Sequence, residues 1–104
     1  MLLDWIEAVD SVDRALRMEG GDGLRSVREQ MEAILARQGV ERVGAEGDRF
    51  DPELHEAISV RASDEVPERT VLDVARSGYR RGERVLRPAQ VVVSRGSAEG
   101  GGED

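Results

Sequence analysis

The sequence predicts an α+β fold in which a helical hairpin is followed by a small all-β domain. Before Gly39, apolar residues recur at spacings of three and four in two segments that are separated by glycines, which indicates two amphipathic helices. After Gly39 the pattern changes to short alternating segments between glycine-containing turns, which is typical of β-structure. We therefore divide the 104 residues into a helical region (1–39), a β-rich region (40–95) and an acidic, glycine-rich tail (96–104).

The composition narrows the range of partners and compartments. The net charge is -7, and an acidic chain repels phosphate backbones, so we expect no nucleic-acid partner. Cysteine is absent, which removes disulfides and thiolate metal sites. No apolar run approaches membrane-spanning length, and the acidic start of the chain is unlike a signal peptide. We expect a cytoplasmic protein that does not bind membranes.

The first predicted helix covers residues 2–18 and the second covers residues 24–38. Three glycines in the segment 19–23 end the first helix, and Gly39 follows the second where a left-handed residue commonly closes a helix. The apolar stripe of the second helix has heptad spacing, as in bundles and coiled coils.

Two helices cannot fully bury each other's apolar stripes, and ordering about 32 residues costs on the order of 1–2 kcal/mol each. We therefore predict that the hairpin packs against a second copy of itself and forms a four-helix bundle in a homodimer. The predicted dimer interface consists of the stripe residues Leu2, Ile6, Val9, Leu16, Leu24, Val27, Met31 and Ile34.

The β-rich region is predicted to contain short strands joined by tight turns. Strands are expected at 40–43, 58–61 and 70–75, and a hairpin at 78–94 that turns at 81–83. Asp51 and Pro52 have the residue types of an N-cap and a first helical position, which predicts a single helical turn there. The tail 96–104 is expected to be disordered.

No constellation of residues favours catalysis. His55 is the only histidine and has no second histidine or cysteine to form a metal site, so we expect it to be partly buried and hydrogen-bonded beside Asp51. The glycines match neither a P-loop nor a dinucleotide fingerprint. We expect no enzyme activity, metal or cofactor, although a small hydrolase that uses His55 remains a remote alternative. The arginines between residues 76 and 87 form either a solvated strand face or a contact surface for an acidic partner.

Four segments resemble the GrpE family, the nucleotide exchange factors of DnaK-type heat-shock chaperones. They are LDWIEAVDSVDRAL (3–16), ILARQGVERV (34–43), FDPELHEAIS (50–59) and TVLDVARSGYRRGERVLRPAQVVVS (70–94). The first segment fits any amphipathic helix. FDPELHEA followed by GYRRGERVLRPAQVVVS is highly specific.

The resemblance implies a homodimer with a helical bundle and β-domains held out as wings. One wing presses on the chaperone's nucleotide-binding domain and holds the ATPase cleft open, so that ADP leaves. The positions that match the family's chaperone-facing surface are Pro52, Ala75, Arg84 and Val93. Gly39 matches the family's glycine between the bundle and the β-domain, where a side chain would alter the approach of the wing to the chaperone. The alternative is a truncated or degenerate dimeric adaptor that binds the chaperone without promoting exchange.

This sequence departs from the family pattern in three places. Residue 1 lies almost where the family's long N-terminal helix would end, so the roles of that helix are not carried over to this sequence. Glu68-Arg69-Thr70 stands where the family usually has a glycine, which predicts a reshaped turn. Arg81 and Gln90 replace residues that are commonly apolar, and Arg81 is expected to face water at a turn.

Overall fold

The computed structural model describes residues 2–96, and it confirms the predicted α+β class. Two helices precede six strands. They are α1 (Leu2–Met18), α2 (Asp22–Arg37), β1 (Val40–Val43), β2 (His55–Ala62), β3 (Val71–Arg76), β4 (Gly78–Arg81), β5 (Arg84–Arg87) and β6 (Ala89–Arg95). All but the first residue of the predicted tail, and the side chain of Leu2, lie outside what the structure describes. Neither α1 nor α2 is long and apolar enough to cross a membrane.

The six strands form two separate three-stranded sheets. The first has the order β1-β4-β5 and the second the order β2-β6-β3. In the second sheet, β6 pairs in parallel with β2 and antiparallel with β3. Because β6 has a neighbour on both sides, its near-continuous run of buried residues agrees with a central strand.

The chain divides into two compact units whose boundaries do not follow the sequence order. The first unit contains the residues up to Arg42 together with Tyr79–Leu86, and the second contains Val43–Gly78 together with the residues from Arg87 onward. Most of β1 and most of the β4-β5 pair therefore belong to the same compact unit as the helices. The hydrophobic periodicity of the sequence, in contrast, predicts a division at residue 39.

Both predicted helices are present, and α2 begins two residues earlier than expected. At its end, the N–H groups of Gln38 and Gly39 donate to the carbonyls of Leu35 and Ala36 at 2.9 Å. Gly39 has a φ of 81°, so the chain leaves the helix through the left-handed conformation that glycine adopts without strain.

Each unit has its own apolar core. In the first unit, residues from α1, α2, β1 and β4 pack together, and Met31 and Leu86 pack against them. These buried residues are Ile6, Val9, Leu35, Val40 and Tyr79. In the second unit, Phe50 and Val74 pack against a cluster from β3 and β6 that consists of Val71, Ala89, Val91 and Val93.

Two local predictions need correction. The strand expected at 58–61 is longer and begins at His55, because its first residues pair with β6 from Ala89 onward. The hairpin expected over 78–94 is limited to β4 and β5, and β6 pairs in the other sheet. Pro88 separates β5 from β6, and its lack of an N–H is compatible with a break between strands.

Candidate partner-contact surfaces

The β4-β5 pair presents Arg84 to solvent. The two strands are joined at Gly82 and Glu83, where Gly82 has a φ of 61°. Tyr79 and Leu86 lie in or against the core of the first unit, whereas Arg81 and Arg84 are exposed. The exposure of Arg81 is as expected. This turn therefore places guanidinium groups on the surface and anchors itself through apolar side chains.

Gly39 lies against the same turn. A Cβ atom built at this position would be 3.8 Å from Cγ and Nε of Arg81, an ordinary contact distance. The obstacle to a side chain at Gly39 is therefore its positive φ rather than lack of space. A substitution here strains the exit of α2 and alters the surroundings of Arg81.

A charged network joins α1, α2 and β1 in the first unit. The Arg42 guanidinium donates to Glu32 at 2.5 Å and lies 3.9 Å from Asp13, which is also 3.4 Å from Arg28. Burial alone would lower the pKa of Arg42, but the hydrogen bond and charge of Glu32 and the charge of Asp13 raise it. The sequence did not predict this network, because its members are far apart in the chain. Each of them occupies a position that looks like any other polar position of a helix or strand.

Tyr79 is 1% exposed and lies beside this network. Burial raises its pKa to about 12, an effect that the charge of Arg42 opposes and that of Glu32 reinforces. Next to it, a cavity of about 210 Å³ is lined by Glu32, Leu35, Ala36, Val40, Glu41, Arg42 and Tyr79. The end of α2 and the start of β1 thus enclose an apolar recess with charged groups at its sides.

In the second unit, residues 50–54 form a hydrogen-bonded turn that exposes Pro52. The Asp51 carboxylate accepts from the Glu53 N–H at 2.9 Å, and the Asp51 carbonyl accepts from the N–H groups of Leu54 and His55. The single helical turn with Asp51 as its cap is therefore confirmed. The Asp51 N–H donates to Nδ1 of the buried His55 at 2.9 Å, so the structural role expected for this histidine is confirmed as well.

The two remaining predicted contact positions differ in accessibility. Ala75 is exposed on β3. Val93 is only 6% exposed and belongs to the core of the second unit, so the structure does not place its side chain on a surface. Sequence reasoning could not separate the two, because both are small apolar residues in strands.

The predicted dimer-interface residues also differ. Ile6 and Val9 are fully buried inside the chain's own core, so their side chains are covered without a second copy. Val27 is 44% exposed. Half-buried positions are Leu16, Leu24, Met31 and Ile34. The helices carry further exposed apolar side chains that the predicted set did not include, namely Leu3, Trp5 and Met18.

Within residues 2–96, no group of three or more histidine, aspartate or glutamate side chains is arranged to hold a metal ion. The features that stand out are exposed side chains on two turns, and these suit contact with another protein rather than bond-making chemistry.

Comparison with known proteins agrees with this geometry. The family model described as GrpE matches residues 1–95. The chain is 39% identical to Protein GrpE of Coprothermobacter proteolyticus over 99 residues, which are 94% of this chain and 42% of that protein. It is 36% identical to Protein GrpE of Enterococcus faecalis, over 86% of this chain and 55% of the relative. It is 38% identical to Protein GrpE of Streptomyces coelicolor, over 90% of this chain and 42% of that relative.

The chain therefore spans about half the length of these curated relatives. The family match nevertheless covers both helices and all six strands. This chain belongs to the GrpE family.

Proposed function

We propose that this protein is a co-chaperone that binds the nucleotide-binding domain of a DnaK-type chaperone and accelerates ADP release. The observation that carries the proposal is the family match over residues 1–95, which includes the turns that expose Arg84 and Pro52. Four of the five predicted contact positions are accessible: Gly39, Pro52, Ala75 and Arg84.

The proposed mechanism needs no group that touches the nucleotide. A ligand shifts a two-state equilibrium only by its preference for one state, so the exchange factor must bind the open cleft more tightly than the closed one. The hydrogen-bonded turn 50–54 suits this task, because a preorganised surface loses little entropy on binding. We propose that Arg84 pairs with an acidic patch on the chaperone and that Pro52 and Ala75 pack against it.

Val93 has a different part in this proposal. Because its side chain is buried beside Val71 and Val91, we propose that it supports the sheet rather than contacting the chaperone. We further propose that the protein acts as a homodimer in the cytoplasm.

The test is the release of a fluorescent ADP analogue from the cognate chaperone, with and without the full chain. Acceleration is expected. The Arg84→Glu variant is expected to slow the stimulated release by about tenfold or more, because it replaces attraction by repulsion at the contact. The matched control is Arg95→Glu, which makes the same charge change at another exposed position and should leave the rate near that of wild type.

The outcomes separate the hypotheses. Binding without acceleration would indicate the dimeric adaptor instead of an exchange factor. If the Arg84→Glu variant stimulates ADP release as wild type does, Arg84 is not a contact residue. If the wild-type chain does not bind the chaperone, the proposed function is refuted.

A further inference from the structure

The turn that exposes Pro52 is held from inside by a buried histidine. His55 is 5% exposed, and its Nδ1 atom accepts a hydrogen bond from the backbone N–H of Asp51 at 2.9 Å. The bond closes the turn across Pro52, since its two partners lie on either side of the proline. His55 is also the first residue of β2, which fixes its backbone in the sheet.

This bond defines the protonation state of the imidazole. An atom that accepts from an N–H must carry a lone pair, so the neutral ring holds its proton on Nε2. A second proton on Nδ1 would place two donors against each other. The Nε2 atom is also buried, and it has no hydrogen-bond partner among residues 2–96. The ring therefore has no second acceptor contact there that would compensate for a positive charge.

The rest of the turn is fixed independently of the imidazole. The Leu54 carbonyl accepts from the N–H of Ala89 in β6 at 2.9 Å, and the Asp51 carboxylate is occupied by the Glu53 N–H. At the other side, the Phe50 N–H donates to the Arg69 carbonyl at 2.8 Å. Of the segment's contacts, the bond to His55 is the one that a second proton on the imidazole would remove, because Nδ1 would then lose its lone pair.

Charged residues next to the ring include Arg69, Asp51 and Glu56. The Phe50 ring lies 5.8 Å from the imidazole, and the Arg69 guanidinium lies 5.2 Å from the Phe50 centroid. The Asp51 carboxylate is on the turn itself. On β2 and β6, His55 is paired with the uncharged Ala89, and the next residue, Glu56, accepts from Gln90 at 3.4 Å.

We propose that His55 is a positioning residue whose neutral imidazole fixes the Asp51 side of the turn 50–54 in the form that presents Pro52 to the chaperone, and that protonation of Nδ1 frees the Asp51 N–H and loosens this side of the turn. Binding then weakens in acid. This inference rests on the proposed function for its readout of binding, but the state of the turn can be measured without a partner.

Two variants of the full chain separate the hydrogen bond from the bulk of the side chain. His55→Asn keeps an acceptor oxygen one bond from Cγ, where Nδ1 lies, whereas His55→Leu removes the acceptor and fills the space. Amide exchange of Asp51 is expected to be slow in wild type and His55→Asn and about tenfold faster in His55→Leu, because the donor loses its partner. Affinity for the chaperone is expected to fall about tenfold in His55→Leu alone.

The pH profile provides the third readout. On acidification, wild-type affinity is expected to decrease more steeply than that of His55→Asn for the same chaperone, because the imidazole acceptor can be protonated and the amide oxygen cannot. Since titration of the chaperone affects both proteins equally, the difference between the two profiles reports His55.

Each result judges a different statement. Equal pH profiles, or His55→Leu with wild-type affinity, would overturn the inference while leaving the proposed function intact. If the wild-type chain does not bind the chaperone, the proposed function fails, and Asp51 exchange together with its pH dependence still decides whether His55 holds the turn. Should His55→Leu fail to fold, the wild-type and His55→Asn profiles suffice.

Discussion

Gly78 shows how tightly a single position can be constrained. A Cβ atom at this residue would lie 2.7 Å from the Arg87 carbonyl oxygen and 2.8 Å from the Pro88 carbonyl carbon, and it would also contact the Ala89 nitrogen. All three are backbone atoms, so none can move without displacing the chain. The requirement for glycine here is therefore a matter of space, because the φ of Gly78 is not positive.

We expect Gly78→Ala to lower the free energy of unfolding by about 3 kcal/mol, since overpacking against backbone cannot relax by rotamer change. Gly23→Ala is the matched control. Gly23 lies in the first turn of α2, and a Cβ there would meet nothing within 4 Å. The control should stabilise the protein by up to about 1 kcal/mol through helix propensity. Chemical denaturation measures both variants, and equal effects would contradict this account.

Arg69 has a left-handed backbone conformation in the turn before β3. It has a φ of 66°, and it is the only residue other than glycine with a positive φ among residues 2–96. Its N–H donates to the Ser94 carbonyl at 2.9 Å, and its guanidinium lies over the Phe50 ring. These contacts offset a left-handed penalty of about 1–2 kcal/mol. The prediction that this turn is reshaped, from an arginine near a usual glycine, stays a prediction, because only this chain is described.

At the scale of elements, the stretch 78–95 behaves as two pieces. Tyr79 in β4 is buried with Leu35 and Val40, whereas β6 pairs with β2 and β3. The alternating pattern predicts strands in both pieces but does not say which strand pairs with which. That choice depends on the partners available in three dimensions.

Tyr79 makes the first unit sensitive to alkali. Its pKa is raised to about 12 by burial in the folded chain and is about 10 when unfolded. The folded state therefore retains the phenolic proton longer. The resulting stability is fully present below about pH 10 and is lost as pH rises through about 12, and it amounts to about 2–3 kcal/mol.

The test is simple in this chain, which has one tyrosine and neither cysteine nor lysine. Denaturation followed at increasing pH should show stability falling from about pH 10 in wild type, whereas Tyr79→Phe should lack this slope. The tyrosinate absorbance should rise with an apparent pKa near the raised value. A titration at the ordinary pKa of a free tyrosine would contradict burial of the phenol.

For the whole molecule, both helices carry exposed apolar side chains that can contribute to a dimer contact. Ile6 and Val9 are covered within the chain, whereas Leu3, Trp5, Met18 and Val27 are exposed apolar residues of α1 and α2. Several apolar side chains in water on two helices are more than isolated exposures and favour an interface. We propose that this exposed set, with the half-buried stripe residues, forms the contact between two copies.

Sedimentation at micromolar concentration is expected to show a dimer for wild type. Val27→Glu should weaken the dimer by about 2 kcal/mol or more, on the order of 30-fold in Kd, because it buries an unpaired charge in the proposed contact. Ser26→Glu adds the same charge at the neighbouring exposed position and should leave the dimer intact. A monomeric wild-type chain, or equal effects of both variants, would contradict the proposed dimer.

Much of the local structure was predictable. The bounds of α1, the strand β1, the left-handed Gly39 and the Asp51-capped turn all follow from interactions between residues a few positions apart. The extent of β2 and the separation of β5 from β6 did not, since β2 and β6 pair with each other across more than thirty residues of chain. The exposure of the predicted contact residues could be predicted only in part, because Ala75 and Val93 are both small apolar residues in strands, yet one is exposed and the other is buried.

The sequence by itself determined the helices, the β-rich character after Gly39 and the family, because periodicity, caps and motifs are properties of short segments. Only the tertiary structure decided that Val93 is buried, that Tyr79 belongs to the core beside the helices, and that Nδ1 of His55 holds the turn beneath Pro52. The physical reason is the same in each case. Burial and hydrogen bonding depend on which distant segments come into contact. The alternating pattern of a strand predicts its two faces but does not predict which segment packs against each face.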